Sequence, residues 1–180
     1  MEALKTLGQS FPEAAKDIRL NLQAVLSESS LTERQRFGVA YAAAIASRSS
    51  ALRDAIAQDA ALHLDEALLE DAQAAASLMA MNNVFYRFRH IIGKPSYASI
   101  PARLRMNRLS QPKTSKAEIE LMSLAVSAIN NCEACVRSHE RAGLEQGLSE
   151  TNVLDAVRIA ATIHAAAVSL DAVSADATGF

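Results

Sequence analysis

Residues 115–139 read SKAEIELMSLAVSAINNCEACVRSH, and this stretch contains the clearest helix signals of the chain. Ser115 and Glu118 have the spacing of a capping box, in which each side chain binds a backbone N–H group of the first helical turn. The apolar run that follows the box continues to about Ile129. The pattern therefore predicts a helix from Lys116 to about Ile129.

The second part of the stretch predicts another helix, which carries reactive side chains. Asn130 and Asn131 interrupt the apolar pattern, and either side chain can cap a new helix. Cys132, Cys135 and His139 follow within this new helix. Because residues three and four apart lie on one helix face, the two sulfurs can meet and the imidazole can reach Cys135.

Composition extends the helical prediction to the whole chain. The 180 residues are 50% hydrophobic, with only 6 Gly and 4 Pro, and Ala dominates the apolar fraction. Abundant Ala and few turn residues are typical of helical proteins, and no segment shows the alternation of a strand. We therefore predict a single all-α domain over residues 1–180, which is a length that one core can accommodate.

Helix signals occur at intervals along the rest of the chain. Thr32 and Gln35 form a second capping-box pattern, and Ser149 can cap the last helix. The other predicted helices span residues 12–26, 32–45, 51–62, 65–92 (with a break considered near 81–83) and 149–163, and an irregular connection covers 93–112. Residues 174–180 are predicted to be frayed.

Charge and hydropathy argue against several classes of protein. A net charge of −2 gives no electrostatic footprint for nucleic acid or an anionic membrane. No segment has 18 uninterrupted apolar residues, so no transmembrane helix is predicted, and the first residues lack the apolar core of a secretory signal. We therefore expect a cytoplasmic protein, whose two cysteines take part in redox or metal chemistry.

A weak internal repeat divides the chain into two halves, residues 12–93 and 113–173. A shift of about 84 positions brings caps, breaks and helices into phase. The same shift places the residues of the second half opposite unreactive or basic ones: Glu120 opposite Arg36, Cys132 opposite Arg48, Cys135 opposite Ala51 and His139 opposite Ala55. The reactive groups therefore lie in the second half alone.

Sulfur chemistry suggests different roles for the two cysteines. A helix N-terminus or a nearby imidazolium lowers the pKa of a thiol, and the thiolate is the reactive form. Cys132 is expected in the first turn and as the more accessible sulfur, while Cys135 lies next to His139, which can act as its base. Glu120 lies twelve residues before Cys132. It can approach His139 and fix its tautomer if the break at Asn130 folds the two helices together.

The pattern of Glu, eleven residues, Cys-x-x-Cys, three residues and His resembles that of the alkyl hydroperoxidase D family, within the wider carboxymuconolactone decarboxylase-like superfamily. The resemblance extends to FPEAAKDIRLNL near the amino terminus, to MNNVFYR at residues 81–87 and to AVSAIN at residues 125–130. It implies an all-helical, internally duplicated fold that forms a homotrimer. In place of the His that relatives can carry before the second cysteine, this chain has Ala134.

The resemblance also implies a thiol peroxidase that needs no metal, haem or flavin. By matching position, Cys135 would be the peroxidatic thiol and Cys132 the resolving one. Glu120 and His139 would form the proton relay, with Glu120 and Cys132 as proton donors. His164 could contribute to the site, although nothing in the sequence places it there.

Electron donors and partners follow from the same resemblance. It implies that an external dithiol, the dihydrolipoyl group of an acyltransferase, reopens the Cys132–Cys135 disulfide. We expect that dithiol to attack the sulfur of Cys132, which is predicted to be the exposed one. An NADH-dependent lipoamide dehydrogenase would reduce that acyltransferase in turn. The resemblance further implies a partner peroxiredoxin, which this protein would re-reduce.

A non-catalytic interpretation competes with the redox-enzyme hypothesis. The chain could be a non-catalytic helical module in which Cys132, Cys135 and His139 bind zinc or sense redox state. A structural zinc site needs four ligands, and no second Cys pair supplies the fourth. The cluster of Met79, Met81, Phe85 and Phe88 is interpreted as core or subunit interface rather than as a cofactor site. Tyr86 and Arg87 are interpreted as packing and ion-pair residues.

Overall fold

The computed structural model describes residues 1–176, with side chains as far as Val173. This part of the chain is all-α, as predicted, and contains no strand. Its helices are α1 (Glu2–Gly8), a 3₁₀ turn (Glu13–Ala15), α2 (Lys16–Ser27), α3 (Glu33–Ala46), α4 (Ser50–Asp59), α5 (Glu66–Ile92), α6 (Pro95–Ser99), α7 (Asn107–Ser110), α8 (Lys116–Ile129), α9 (Glu133–Glu145) and α10 (Glu150–Asp176). Of residues 174–180, predicted to be frayed, the first three belong to α10 and the others lie outside the described residues.

Local sequence signals set most of these boundaries. Both predicted capping boxes form, at Thr32 with Gln35 and at Ser115 with Glu118. The break considered near residues 81–83 does not occur, since α5 is one continuous helix. Helix α1 was not predicted, because its first N–H groups are capped from α4: the Asp59 carboxylate accepts hydrogen bonds from the backbone N–H groups of Ala3 and Leu4.

Two helices, α3 and α8, form the centre of the core. Each is buried around most of its circumference, over residues 37–44 in α3 and 119–127 in α8. A helix that is apolar on all sides must be surrounded, and these two pack against each other and against the long helices α5 and α10. Small side chains at Ala40, Ala42, Ala43 and Ala44 let the neighbours of α3 approach closely. The site described below is built on α8 and on α9, which packs against it.

The helices α3, α4 and α5 have the same order as α8, α9 and α10. The starts of the first two pairs are 83 residues apart, at Glu33 and Lys116 and at Ser50 and Glu133, while α5 and α10 are offset by 84. The predicted shift of 84 is therefore one residue too long for the reactive segment. With the corrected register the counterparts are Phe37 for Glu120, Ser49 for Cys132, Leu52 for Cys135 and Ile56 for His139.

Buried aspartates on the two long helices bind the chain just before the two central helices. Asp155 of α10 accepts hydrogen bonds from the N–H and hydroxyl groups of Ser30, which precedes α3. Asp71 of α5 accepts the equivalent pair from Thr114, which precedes α8, and also pairs with Arg108. The long helix of each helical run therefore fixes the entry to the central helix of the other run.

Helix α10 is long and apolar enough, on average, to be a candidate membrane span. By length and composition alone, Glu150–Val173 could span a membrane, with a mean hydropathy of 1.5. The prediction that no segment qualifies is therefore too strict, because it required an uninterrupted apolar run. One face of the helix, which includes Ala156, Ile159 and Ile163, lies in the core. A core helix of a soluble protein passes the same test, so the finding is weak evidence for a membrane span.

Candidate active site

The turn between α8 and α9 places the first cysteine. Asn131 has a positive φ of 54°, which folds the chain back, and the backbone N–H of Cys132 donates to the carbonyl of Ser127. Cys132 itself is the residue before the first turn of α9, and no side chain caps that helix. The prediction that Asn130 or Asn131 caps the helix is therefore wrong, since those residues form the turn instead.

Side chains from α5 hold this turn in place. Asn83 donates to the hydroxyl of Ser127 at 3.0 Å and accepts a hydrogen bond from the amide of Asn130 at 2.9 Å. The guanidinium of Arg87 donates to the backbone carbonyl of Asn130 at 2.8 Å. Arg87 thus binds the turn through a carbonyl rather than through the ion pair that the sequence predicted.

The two cysteine sulfurs are joined in a disulfide bond. Cys135 lies in the first turn of α9, and the Cα atoms of the two cysteines are 5.3 Å apart. This separation is within the usual range for a disulfide. The spacing of three residues therefore brings the sulfurs together, and the structure represents the oxidised protein.

The accessibility of the two cysteines is the reverse of the prediction. Cys132 is 0% exposed, whereas Cys135 is 7% exposed and lines a cavity between α5, α8 and α9. Cys132 is buried because the turn at Asn131 directs the chain inward before α9 begins. A small molecule that enters the cavity therefore meets Cys135, and the expectation that Cys132 is the accessible sulfur is wrong.

Glu120 and His139 form a close pair beside the cysteines. Their Oε2 and Nδ1 atoms are 2.7 Å apart, and the two side chains are 11% and 14% exposed. Burial alone raises the pKa of Glu120, but the hydrogen bond and charge of His139 and the ammonium of Lys116 outweigh it, so the net pKa is lowered. Glu120 is therefore ionised at neutral pH, and Nδ1 of His139 carries the proton that joins them.

The second nitrogen of His139 contacts a sulfur. Its Nε2 atom lies 3.1 Å from Sδ of Met79, which is fully buried in α5. A thioether sulfur has no proton to give, so it can only accept a hydrogen bond from Nε2–H. The two ring nitrogens of His139 therefore face a carboxylate on one side and a thioether on the other.

A cavity of about 370 Å³ connects these groups. Its wall contains Met79, Asn82, Tyr86, Met106, Leu109, Glu120, Ala134, Cys135, Ser138, His139 and Ala142. The wall is mostly apolar, with a few polar groups close to the sulfur, which is typical of a small-molecule site. Ala134 lies on the wall, so any side chain larger than methyl at that position would reduce the space.

The sequence alone predicts packing roles for Met79 and Tyr86 and no role for Asn82, although all three line the cavity. Met79, Asn82 and Tyr86 recur at helical spacing on one face of α5, and the polar Asn82 within that otherwise apolar face was the signal. The interpretation of Tyr86 as a packing residue is wrong to the extent that it lines the cavity. No sequence signal links α5 to the cysteines, because the helices meet only in the folded protein.

The other histidines lie away from the cavity. His164, considered as a contributor, has its Nδ1 atom 3.2 Å from the hydroxyl of Ser47 on the turn between α3 and α4. His63 stacks on Phe37, and His90 pairs with Glu133. Within residues 1–173, whose side chains the structure describes, no group of three His, Cys, Asp or Glu side chains is arranged to hold a metal ion.

Comparisons with known proteins show the family to which the chain belongs. A model described as the carboxymuconolactone decarboxylase family matches residues 95–177. Alkyl hydroperoxide reductase AhpD of Anaeromyxobacter dehalogenans (strain 2CP-C) is 58% identical over 171 residues, or 95% of this chain and 92% of that protein. The proteins of the same name from Solibacter usitatus and Rhodospirillum centenum are each 50% identical, over 93% and 97% of this chain and 95% and 92% of their own lengths.

Proposed function

Because the chain belongs to the alkyl hydroperoxide reductase AhpD family, we propose that it reduces alkyl hydroperoxides through a Cys132–Cys135 disulfide that forms and reopens in each cycle. The observation that carries this proposal is the position of Cys135, which lines an apolar cavity together with the Glu120–His139 pair. In the reduced protein, His139 takes the proton of the Cys135 thiol, and ionised Glu120 stabilises the imidazolium that results.

The first chemical step is attack by the Cys135 thiolate on the terminal oxygen of the hydroperoxide. A sulfur–oxygen bond forms and the oxygen–oxygen bond breaks, so the sulfur is oxidised by two electrons to a sulfenic acid. The alkoxide that leaves takes the proton held by His139 and departs as an alcohol. Glu120 takes part in proton donation through His139, because its own carboxyl group is ionised.

The second step joins the two sulfurs. Cys132 attacks the sulfenic sulfur of Cys135, the sulfur–oxygen bond breaks, and the thiol proton of Cys132 leaves with the hydroxide as water. Cys132 is thereby the second proton donor of the cycle. Its buried position beside Cys135 supports this role, because a resolving thiol needs a short path to its partner more than access to solvent.

An external dithiol returns the enzyme to its reduced state by thiol–disulfide exchange. We propose a dihydrolipoyl group on an acyltransferase as this dithiol, with lipoamide dehydrogenase as the source of its electrons and a peroxiredoxin as a further partner. The incoming thiolate attacks the sulfur of Cys135, because that sulfur lies on the cavity wall. The attack on Cys135 replaces the expected attack on Cys132, whose sulfur is fully buried. The thiolate of Cys132 is then released and receives a proton. The second thiol of the dithiol attacks the carrier sulfur bonded to Cys135, which releases the Cys135 thiolate and leaves the carrier as a cyclic disulfide.

The proposal extends to assembly and location. Exposed apolar side chains on α5 and α6, among them Phe88, Ile91 at 72% exposure and Tyr97, support a subunit interface of the proposed homotrimer. The proposed location is the cytoplasm, where reduced dithiol carriers are available. Light scattering of the purified protein, with Ile91→Asp as the disrupting variant, measures the subunit number.

The test of the proposed function is a half-reaction measured on the reduced protein. We expect one equivalent of tert-butyl hydroperoxide to convert the two thiols to a Cys132–Cys135 disulfide and to release one equivalent of alcohol. In a Cys132→Ser variant, dimedone should trap a sulfenic acid on Cys135. Trapping on Cys132 in a Cys135→Ser variant at the same rate would reverse the two roles.

Elemental analysis separates this function from the zinc-binding alternative. Purified, reduced protein should contain much less than one zinc per chain after mild chelation. One tightly held zinc, together with thiols that do not react with hydroperoxide, would favour the non-catalytic module.

A further inference from the structure

The wall of the cavity contains a side chain, Asn82, with a buried polar atom that has no partner. Asn82 is 4% exposed, and its Oδ1 atom makes no hydrogen bond with any described residue. Its Nδ2 atom lies 3.8 Å from Sδ of Met106, which can only accept a hydrogen bond. The amide nitrogen thus faces Met106, and the carbonyl oxygen is the end left without a donor.

A buried acceptor without a donor is costly, and native proteins contain few of them. Leaving such a group unsatisfied destabilises the folded protein, so its presence calls for a physical reason. The neighbouring Asn83 shows the contrast, because both ends of its amide group are bound, to Ser127 and Asn130. Asn83 is directed at the turn before α9, whereas Asn82 lines the cavity with Cys135.

We infer that Asn82 binds the terminal O–H group of the hydroperoxide substrate, an inference that rests on the proposed function. A hydroperoxide ROOH has one hydrogen-bond donor, the hydroxyl of the oxygen that the Cys135 thiolate attacks. Oδ1 of Asn82 accepts from that hydroxyl, and this contact holds the terminal oxygen beside the sulfur. After the oxygen–oxygen bond breaks, the same hydroxyl belongs to the sulfenic acid, so Asn82 keeps its donor through the step.

The wall around Asn82 selects the class of substrate. Met106, Leu109 and Ala142 offer an apolar surface to the organic group, and the cavity of about 370 Å³ has room for a small alkyl or aryl chain. Negatively charged hydroperoxides are disfavoured, because ionised Glu120 and the Cys135 thiolate line the same cavity. The substrates are therefore neutral organic hydroperoxides, bound by their terminal hydroxyl at Asn82 and by apolar contact beyond it.

The test compares two buried side chains that each have an unpartnered polar atom, Asn82 and Ser123. Of the two, Asn82 lines the cavity. Asn82→Leu removes the acceptor with little change in size, and Ser123→Ala removes the hydroxyl of Ser123, which is 1% exposed and also unpartnered but does not line the cavity. Stopped-flow oxidation of the reduced proteins by cumene hydroperoxide should be slowed roughly tenfold in Asn82→Leu. In Ser123→Ala it should remain within about twofold of the wild-type rate.

Two further measurements separate substrate positioning from a structural role. Reduction of the disulfide by dithiothreitol should proceed in Asn82→Leu at the wild-type rate, because no hydroperoxide takes part. Thermal stability should be unchanged or higher, because an unsatisfied polar atom has been replaced by an apolar group. If Asn82→Leu does not fold, Asn82→Ala serves in the same assays.

The outcomes distinguish this inference from the proposed function. Equal oxidation rates in wild type and Asn82→Leu would overturn the inference, as would equal slowing of oxidation and of disulfide reduction. If the reduced wild-type protein does not form the disulfide with any hydroperoxide, the proposed function itself fails. A slower oxidation step with unchanged disulfide reduction and unchanged folding supports Asn82 as a positioning residue.

Discussion

The turn between α3 and α4 and the turn between α8 and α9 have the same backbone form and different contents. Each contains a non-glycine residue with positive φ, Arg48 at 58° and Asn131 at 54°. In the first turn the next residue, Ser49, caps α4 by accepting a hydrogen bond from Leu52. In the second, Cys132 occupies the cap position without capping. A position that the first turn uses for local stability thus holds, in the second turn, a disulfide-bonded cysteine.

The side chains one turn further along show the same contrast. Leu52 and Ile56 of α4 are fully buried in the core, while their counterparts Cys135 and His139 line the cavity. The shared backbone framework therefore does not determine which side chains, packing or reactive, occupy the start of the helix. A helix start that follows a positive-φ turn holds core side chains in one case and cavity-lining side chains in the other.

The largest expected effect comes from mutating one matched pair, Cys135 and Leu52. Cys135→Ser should lower peroxide turnover by more than about 1000-fold, because the nucleophile is lost, and should change stability little. Leu52→Ala should cost about 2–5 kcal/mol of unfolding free energy and leave the thiols reactive in the folded fraction. Peroxide consumption and urea unfolding of both variants measure these effects. A large loss of stability in Cys135→Ser would remove the contrast between the two turns.

A transplanted cysteine pair separates the contribution of the turn from that of the side chains around it. In a Cys132→Ser, Cys135→Ser background, Ser49→Cys with Leu52→Cys should form a disulfide under a strong oxidant, because the turn is the same. Hydroperoxide should oxidise that pair at least about 100-fold more slowly than the native pair, since Phe37 and Ile56 cannot move a proton. Mass spectrometry after timed additions of peroxide gives both results, and a fast reaction would show that the turn alone activates the thiols.

Removing the charge of Glu120 should have an intermediate effect. In Glu120→Gln the imidazolium loses its carboxylate partner, and thiol oxidation should fall roughly 10- to 100-fold at pH 7. Because the folded protein holds the pKa of Glu120 below its ordinary value, its contribution to stability is present above the unfolded pKa and is lost as pH falls through the folded pKa. In a pH series of unfolding measurements, the difference in unfolding free energy between wild type and Glu120→Gln should therefore shrink only under acidic conditions. A difference that disappears near neutral pH would contradict the assignment of an ionised Glu120.

The smallest effect concerns the tie between the long helix α10 and the entry to α3. Hydrogen bonds from Ser30, Arg158 and Ser29 outweigh the effect of burial and lower the pKa of Asp155 to about 2. Its charge should contribute about 2 kcal/mol above pH 4, which is lost as the pH falls toward 2. Asp155→Asn should be less stable by that amount at pH 7, with a flatter stability curve between pH 4 and 2. Chemical unfolding across that range, with Glu28→Gln as a surface control, checks the prediction.

Local signals made part of this structure readable from sequence. The capping boxes at Thr32 and Ser115 set the starts of α3 and α8, because their partners lie three residues away. The approach of Glu120 to His139 was predictable as well, once the chain folds back between α8 and α9. These features depend on neighbours in sequence or on a single turn.

The features that sequence missed depend on contacts between distant segments. Helix α1 needs Asp59, about 55 residues away, for its cap. The burial of Cys132 depends on how the Asn131 turn meets α8, and Asn82 reaches the cavity only because α5 packs beside α9. One extra residue between the starts of α9 and α10 also shifts the register of the repeat, which a gapless alignment cannot show.

The crossed ties of Asp71 and Asp155 have a consequence for how the chain can be divided. A protease cut in the segment between α6 and α7 would leave one fragment with the Ser30 end of a tie and the other with Asp155, and likewise for Asp71 and Thr114. Neither fragment could complete the start of its own central helix. The two pieces would hold together as a nicked molecule, and a gene split at that point would need both products made in one cell.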